Sequence, residues 1–218
     1  MTEDRAAVLA TVAARIDALP TGRTVRVVAV DGVTASGKST FADELVAHVR
    51  RPVVRATVDD FNRPRSERYA GGQGPEAYYH DTFDLVSLRC MLLEPLAPAG
   101  DRRYRTASFD ADNDSAVDAP LQVAPDDAAL VLDGVFLLRP ELAGVWDLSI
   151  FLAVDRTVAL ERAIARDASW LGGEGPARVR YASRYVPGET LYLESADPAS
   201  QAGLVVENTD PDRPRLLS

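Results

Sequence analysis

The amino-acid sequence predicts an α/β fold, with a five-stranded parallel sheet and flanking helices. Five short, largely apolar runs alternate with longer segments whose apolar residues recur at helical spacing. Runs of this kind are typical of strands covered on both faces, and strands that alternate with helices are joined by right-handed crossovers. The predicted strands are residues 25–30, 52–58, 128–132, 148–154 and 203–207.

The composition indicates one globular domain. The chain has 218 residues, 46% of them hydrophobic, which fits a single domain over residues 1–218. A net charge of −9 argues against a nucleic-acid or membrane partner. Charged residues interrupt the Ala-rich N-terminus, so we expect neither a signal peptide nor a membrane span. The lone Cys90 lies among apolar residues, which predicts a buried thiol in a reducing cytoplasm. Homo-oligomer formation stays open.

An amphipathic helix is predicted before the first strand, over residues 2–19. Val8, Val12 and Ile16 recur at helical spacing, and the stretch from Pro20 to Gly22 would end the helix. We expect this helix to pack on the sheet and to carry no chemistry.

The first strand runs directly into a glycine-rich loop with the spacing G-x-x-x-x-G-K-[ST]. Glycines at its first and sixth positions let successive backbone N–H groups turn inward, where they bind phosphate oxygens. Lys38 supplies a positive charge for the outer phosphates, and Ser39 supplies a hydroxyl ligand for Mg²⁺. A chance match would not explain the strand before the loop and the helix after it. We therefore expect ATP and Mg²⁺ to bind here, with the contact residues Gly32, Thr34, Ala35, Ser36, Gly37, Lys38, Ser39 and Thr40.

Carboxylates follow the second and third predicted strands. Asp59 and Asp60 come directly after residues 52–58, at the edge where parallel sheets present functional groups. One of them can accept the proton of an attacking hydroxyl, and we expect this base to be Asp59 because it is the first residue after the strand. Asp60 is the alternative, and either residue could cap a turn. Asp133 follows the third strand and is expected near the Mg²⁺.

Two segments are candidates for binding the phosphoryl acceptor. After a polar loop over residues 62–74, Tyr78 and Asp81 could line a pocket, although aromatic residues before a helix often form a packing corner. Residues 102–124 form short runs of alternating residues on either side of a turn-rich stretch, and this pattern predicts an inserted hairpin. Tyr104 and Phe109 are its candidate stacking side chains; the alternative is that both simply anchor the hairpin.

The helix predicted over residues 155–167 carries arginines that could close over the phosphates. Arg162 and Arg166 are four residues apart and share one face. Three more arginines, at positions 178, 180 and 184, follow the glycine-rich stretch 172–176. A charged face of this kind usually meets solvent, but it also suits a lid over about residues 162–186, with Arg162 and Arg166 as catalytic groups. The loop 208–211, after the last strand, could touch a nucleotide base.

In motif order, the chain resembles the uridine kinase branch of the P-loop kinases, which includes phosphoribulokinase and bacterial pantothenate kinase. The resemblance implies a P-loop NTPase fold and an ATP-dependent kinase, with Asp59 as base, Asp133 in place of the family's Glu, and Phe61 at the acceptor. It covers roughly residues 24–210 and rests on the segments 32–40, 58–61, 82–84, 132–134, 162–167 and 185–189, and on the Tyr104 hairpin.

Two positions depart from the pattern of uridine kinases. Phe109 stands where those kinases have a His that reads the pyrimidine, and Tyr78 stands where they have an acidic ribose contact, unless Asp81 replaces it. A nucleoside is the first acceptor that we expect, and pantothenate or a sugar phosphate comes next. A nucleotide-binding regulatory module without turnover and a hydrolytic NTPase switch are the alternatives from other classes.

Overall fold

A computed structural model of the chain describes residues 4–19 and 25–217. The largest sheet has six strands in the order β10-β9-β8-β1-β7-β2, and two short antiparallel ladders pair β3 with β6 and β4 with β5. The strands are β1 (Val25–Gly32), β2 (Val53–Thr57), β3 (Arg103–Tyr104), β4 (Phe109–Asp110), β5 (Ser115–Ala116), β6 (Gln122–Val123), β7 (Ala128–Gly134), β8 (Leu148–Ala153), β9 (Leu204–Glu207) and β10 (Arg215–Leu216).

The helices cover both faces of the six-stranded sheet. They are α1 (Arg5–Asp17), α2 (Lys38–Val46), α3 (Arg65–Arg68), α4 (Pro75–Asp81), α5 (Leu85–Leu88), α6 (Glu94–Leu96), α7 (Arg156–Leu171), α8 (Glu174–Arg180), α9 (Val186–Ala196) and α10 (Pro198–Gln201). Wide π-helical turns, Arg89–Leu93 and Tyr181–Tyr185, join α5 to α6 and α8 to α9. No helix in the described part of the chain is long and apolar enough to cross a membrane.

The predicted fold class is confirmed, with one strand added. Strands β2, β7, β1, β8 and β9 run parallel, as expected, whereas β10 joins the β9 edge in antiparallel orientation. The sheet therefore has six strands and not five. A two-residue strand is too short to show an alternating pattern, so β10 could not be predicted from the hydrophobic pattern.

The inserted segment differs from a continuous hairpin. Its ends pair as β3 with β6, and its middle pairs separately as β4 with β5 around a tight turn. In that turn the Asp110 carboxylate accepts hydrogen bonds from the backbone N–H groups of Asp112 and Asn113, as polar turn residues commonly do. The antiparallel excursion exists, but two ladders of two residue pairs each replace one regular ribbon.

Two layers of apolar side chains enclose the sheet. One lies under α1 and α2, and the other lies under α4, α5, α6 and α9. Helix α1 begins and ends close to its predicted limits, while its predicted stop at residues 20–22 lies outside the described residues. A separate, small cluster of Ala163, Ile164, Ala177 and Tyr181 joins α7 to α8 and to the turn that follows. The predicted lid region therefore has its own core.

The prediction of a buried Cys90 is wrong, because this residue is exposed. Leu88 and Leu92, one helical turn apart, are fully buried. Cys90 lies halfway between them along the helical segment and therefore faces the opposite side. Apolar neighbours in sequence thus did not indicate burial here.

Candidate active site

The phosphate-binding loop between β1 and α2 is held in shape by its own glycines and by a distant asparagine. Gly37 has a φ of +86°, and a Cβ added there would lie 2.8 Å from Asn208 Nδ2. That Nδ2 donates a hydrogen bond of 2.8 Å to the Ser36 carbonyl. At Gly32 an added Cβ would lie 2.6 Å from Ser36 Oγ. Glycine is therefore required at both positions, and Asn208, from the loop predicted to touch the nucleotide base, supports the P-loop.

The remaining loop residues also have defined places. Ala35 has a φ of +59°, so the loop contains a left-handed residue in addition to Gly37, and this second one is not a glycine. Ser39 and Thr40 are exposed in the first turn of α2. The Lys38 ammonium group donates a hydrogen bond of 3.3 Å back to the Val33 carbonyl, which keeps it over the loop. Positive charge and the N-terminus of α2 thus meet at one concave backbone surface, as anion binding requires.

Ser39 and Asp133 bring two oxygen ligands together beside this loop. Ser39 Oγ donates a hydrogen bond of 2.6 Å to Asp133 Oδ2, and Asp133 Oδ1 lies 2.8 Å from Arg55 Nη1. Mg²⁺ prefers oxygen ligands and usually binds one or two carboxylates together with phosphates and water. Among the described residues no group of three or more His, Cys, Asp or Glu side chains could hold a metal alone. The Ser39–Asp133 pair therefore fits a magnesium ion that binds mainly through the nucleotide.

Asp59 occupies the 3-10 turn that follows β2, and it is solvent-accessible. It lines a cavity of about 190 Å³, the inner cavity, together with Lys38 and Arg166. The surrounding protein displaces water and so raises the pKa of the Asp59 carboxyl, and the nearby Asp133 raises it further. Lys38 and Arg166 oppose this rise. A carboxylate of this kind is a stronger base than an ordinary aspartate but remains next to two cations.

Asp60 has different surroundings. It does not line the inner cavity but a larger one of about 630 Å³, the outer cavity, which Asp59 and Arg166 also line. Burial raises the pKa of Asp60, and repulsion from Asp59 adds to the rise. Only Asp59 of the two thus faces the cavity that contains Lys38.

The two predicted lid arginines on α7 have different partners. Arg166 Nε and Nη2 donate to the two oxygens of Asp167, at 2.6 and 3.0 Å, and this paired contact raises the pKa of Arg166. The Tyr181 hydroxyl also donates to Asp167. Arg162 Nη2 instead donates a hydrogen bond of 2.6 Å to the carbonyl of Thr209, in the loop after β9. Arg166 therefore lies at the cavities, whereas Arg162 lies toward the C-terminal loop.

Of the five predicted acceptor residues other than Asp59, the structure brings two to the cavities. Tyr78 lines the inner cavity, with its hydroxyl 3.3 Å from Thr34 Oγ1, and Phe109 lines the outer cavity. Burial and the nearby Glu189 raise the pKa of Tyr78 well above its ordinary value.

The other three, Phe61, Asp81 and Tyr104, line neither cavity. Phe61 is completely buried in the core, because the turn after β2 directs it under the sheet. Tyr104 is also buried, and its hydroxyl donates a 3.3 Å hydrogen bond to Gln122 Oε1 across the β3–β6 ladder. Asp81 is half-buried at the end of α4. Tyr104 therefore anchors the inserted segment.

Two residues that the sequence analysis did not assign to the site also belong to it. Trp170 is 63% exposed and lines both cavities. It lies one helical turn after Arg166, so the i, i+4 spacing could have identified it. Glu189 is buried, and its Oε1 accepts a hydrogen bond of 2.7 Å from the Thr34 N–H. No local pattern could have paired residues 155 positions apart.

Comparisons with known proteins find similarity at the level of structure. No protein-family model and no curated protein sequence matches the chain. A possible uridine kinase from Bacillus stearothermophilus has 23% identity and a TM-score of 0.72, over 90% of this chain and 96% of its own. A candidate fructose transport system kinase from a Silicibacter species has 25% identity and a TM-score of 0.71, over 89% and 96%. D-glycerate 3-kinase from Cryptococcus neoformans has 12% identity and a TM-score of 0.64, over 97% and 98%.

These structural neighbours are uridine kinase-like and related P-loop kinases, as the sequence motifs predicted. The central parallel sheet with its flanking helices and small antiparallel ladders has the P-loop kinase architecture. The neighbours support a phosphotransferase enzyme that binds a nucleotide and acts on a small molecule.

Proposed function

We propose that the protein is an ATP-dependent kinase that transfers the γ-phosphoryl group to a hydroxyl of a small molecule. A nucleoside is the first acceptor suggested by the resemblance, and pantothenate and sugar phosphates are the alternatives. The observation that carries the proposal is the position of Asp59, which lines one cavity with Lys38 and Arg166. A module that only binds nucleotide has no need of a base at that position.

The residues around the P-loop would bind and orient the nucleotide. Lys38 would hold the outer phosphates, and the loop N–H groups with the start of α2 would hold the inner ones. Ser39 and Asp133 would hold Mg²⁺, which neutralises charge on the phosphates. Arg162 and the loop that contains Thr209 would lie near the base of the nucleotide, because this loop also supports the P-loop through Asn208.

Asp59 would accept the proton from the acceptor hydroxyl as its oxygen attacks the γ-phosphorus. The new P–O bond forms to the acceptor while the bond to ADP breaks, and the proton moves to the Asp59 carboxylate. A raised pKa suits this role, since it makes the carboxylate a better proton acceptor. Arg166, which lines the same cavity, would stabilise charge on the transferring group.

The direct test is incubation of the purified protein with Mg²⁺, ATP and a panel of nucleosides, pantothenate and sugar phosphates. Mass spectrometry identifies phosphorylated products, and ADP formation without acceptor reports a hydrolytic switch. Lys38 is the only lysine in the sequence, so an amine-directed reagent has a single side-chain target. Protection of Lys38 by ATP then measures nucleotide binding separately. Protection without any product would favour a regulatory module over a kinase.

A further inference from the structure

A third cavity, here called the arginine cavity, continues from the outer cavity away from Asp59. Its volume is about 880 Å³, and Arg65, Arg68 and Arg180 line it. The arginine cavity and the outer cavity share Arg68 and Trp170 as lining residues. One elongated ligand can therefore reach from the Asp59 carboxylate to the three guanidinium groups.

The arginines of this cavity are poorly neutralised. Within the described residues, the Arg65 side chain has no hydrogen bond or ion pair, and Arg180 bonds only neutral partners, Gln73 Oε1 at 2.6 Å and the Tyr69 hydroxyl at 3.4 Å. Their charges thus remain available to a ligand.

Arg68 is the most enclosed of the three. Its side chain is largely buried, and in the described structure its Nε and Nη2 atoms have no hydrogen-bond partner. Asp114 approaches Nη2 at 3.5 Å, which is too long for a good hydrogen bond. Asp112 also lines the cavity. Three arginines still outnumber these two carboxylates, and buried guanidinium nitrogens without partners are costly.

Other arginines of the chain are paired more closely. Arg139 lies 2.7 Å from Glu141, and Arg178, two residues before Arg180, lies 2.7 Å from Glu161. Within the described residues, the arginine cavity contains no ion pair as close as these two, although the net charge of the protein is −9. Such a wall does not serve general attraction of anions, which an acidic protein repels at long range.

The opposite end of the same groove is acidic. The outer cavity is lined by Asp59, Asp60, Asp110, Asp112 and Asp167, against the two arginines Arg68 and Arg166. A neutral hydroxyl suits the acidic end, and an anionic group suits the basic end. The groove thus discriminates between the two ends of a ligand.

We propose that the acceptor is a small alcohol that carries an anionic group, which binds Arg65, Arg68 and Arg180 while the hydroxyl lies at Asp59. A phosphate monoester, with up to two charges and three acceptor oxygens, matches three guanidinium groups better than a carboxylate does. This inference rests on the proposed kinase function and specifies the chemical class of its acceptor.

The first experiment compares matched acceptors that differ only in the anionic group. ADP release is measured for sugar phosphates against sugars, nucleoside monophosphates against nucleosides, and glycerate against glycerol. We expect kcat/KM to be at least about 100-fold higher for the phosphorylated member, from charge-assisted hydrogen bonds to several arginines. A higher value for glycerate than for every phosphate would assign the site to a carboxylate. Equal or higher values for the neutral members would overturn the proposal and leave the kinase function standing.

The second experiment removes the charges one at a time. Arg65→Gln and Arg180→Gln should each raise KM for the anionic acceptor about tenfold or more, and leave KM for ATP unchanged. Arg180→Lys should recover part of the loss, because it restores the charge without the planar fork. Arg15→Gln, on the exposed face of α1, is the matched control and should change neither value. Identical behaviour of the Arg65, Arg180 and Arg15 variants would contradict the proposal.

A binding measurement separates the two proposals. Calorimetry with a sugar phosphate in the presence of saturating ADP and Mg²⁺ reports the anion site without turnover, because the P-loop is then occupied. Binding by the wild type and not by the Arg65→Gln/Arg180→Gln double variant supports the anion site even if no acceptor is phosphorylated. No binding by the wild type overturns it, whatever the kinase assay shows.

Discussion

The two halves of the site differ in how their polar groups are bonded. In the nucleotide half, hydrogen bonds from distant elements hold the loop, among them those that join Asn208 to Ser36 and Glu189 to Thr34. Asp31, at the end of β1, accepts from the N–H groups of Gly32 and Leu138 and from the Tyr192 hydroxyl. In the acceptor half, Arg65, Arg68 and Arg180 have no close carboxylate partner among the described residues, and the Trp170 ring is exposed.

This difference indicates that the nucleotide half is preorganised and that the acceptor half becomes ordered when a ligand binds. A loop whose backbone is already bonded loses little entropy on binding phosphate, and preorganised dipoles are the strongest electrostatic aids to catalysis. Helices α7 and α8, in the predicted lid region, share only a small core of their own, and we predict that they move as a unit relative to the sheet. Substitutions in the first half should therefore act on the chemistry, and those in the second on acceptor selection.

Lys38→Ala should produce the largest effect in the nucleotide half. It removes the charge for the outer phosphates but leaves the backbone cradle, since Lys38 contributes only a weak hydrogen bond to Val33. We expect kcat/KM to fall by about 100- to 1000-fold, several kcal/mol of transition-state stabilisation, with an unchanged melting temperature. The measurement is steady-state kinetics with a thermal melt. Normal turnover in the folded variant would contradict the kinase proposal.

Asp59→Asn should lower kcat by about 100-fold or more, the usual scale for loss of a general base. ATP·Mg²⁺ affinity should stay nearly constant, because Lys38, Ser39 and the loop hold the nucleotide. Loss of nucleotide binding in a titration would instead place Asp59 in the metal site. Activity near that of the wild type would transfer the role to Asp60 or Asp133.

The pH profile sharpens the same assignment. A base works only when it is ionised, so kcat/KM should fall as the pH drops through the pKa of Asp59. Because the surrounding protein displaces water from the carboxyl and so raises that pKa, the fall should occur at a higher pH than the 3.8 of an ordinary aspartate. The residual activity of Asp59→Asn should lack this acidic fall. An identical profile in the variant would assign the titration to another group.

Asn208→Ala tests whether the nucleotide half is held by contacts outside the loop. It removes the donor to the Ser36 carbonyl and should destabilise the loop by about 1–3 kcal/mol, the cost of leaving a buried polar group unpaired. We expect a higher KM for ATP and a similar kcat. Asn113→Ala, in the exposed turn between β4 and β5, is the control and should leave KM for ATP unchanged. An equal effect of the two variants would show that the loop does not depend on Asn208.

How far the site could be predicted follows the same division. The P-loop, Asp59 just after β2 and Asp133 near the end of β7 were predictable because local motifs and strand ends determine where they lie. Glu189 and the second function of Asn208 were not, since each contacts the loop across more than 150 residues of sequence. Phe61 and Tyr104 were expected at the acceptor but lie in the core. Hydrophobic pattern indicates that an aromatic residue is buried, but not whether a cavity lies beside it.

The smallest effects should come from Arg162 and Arg166, the two predicted lid arginines. The sequence analysis gave both the same role. Arg166 lines the inner cavity with Asp59, so Arg166→Gln should lower kcat about tenfold with little change in KM for ATP. Arg162 bonds the Thr209 carbonyl, so Arg162→Gln should raise KM for ATP about fivefold, or about 1 kcal/mol, and leave kcat nearly constant. Steady-state kinetics at saturating acceptor separates the two values, and a melt of each variant detects misfolding.

We expect one variant to change kcat and the other to change KM for ATP. This difference is informative because the two residues lie four positions apart on one helix. A general disturbance of α7 would change kcat and KM in both, whereas separate contacts predict opposite changes. If both variants lost only kcat, Arg162 would move toward the transferring group in the closed state, and its bond to Thr209 would belong to the open lid alone. The nucleotide and acceptor halves would then be joined by lid closure, because the same helix would contact Thr209 before closure and the phosphates after it.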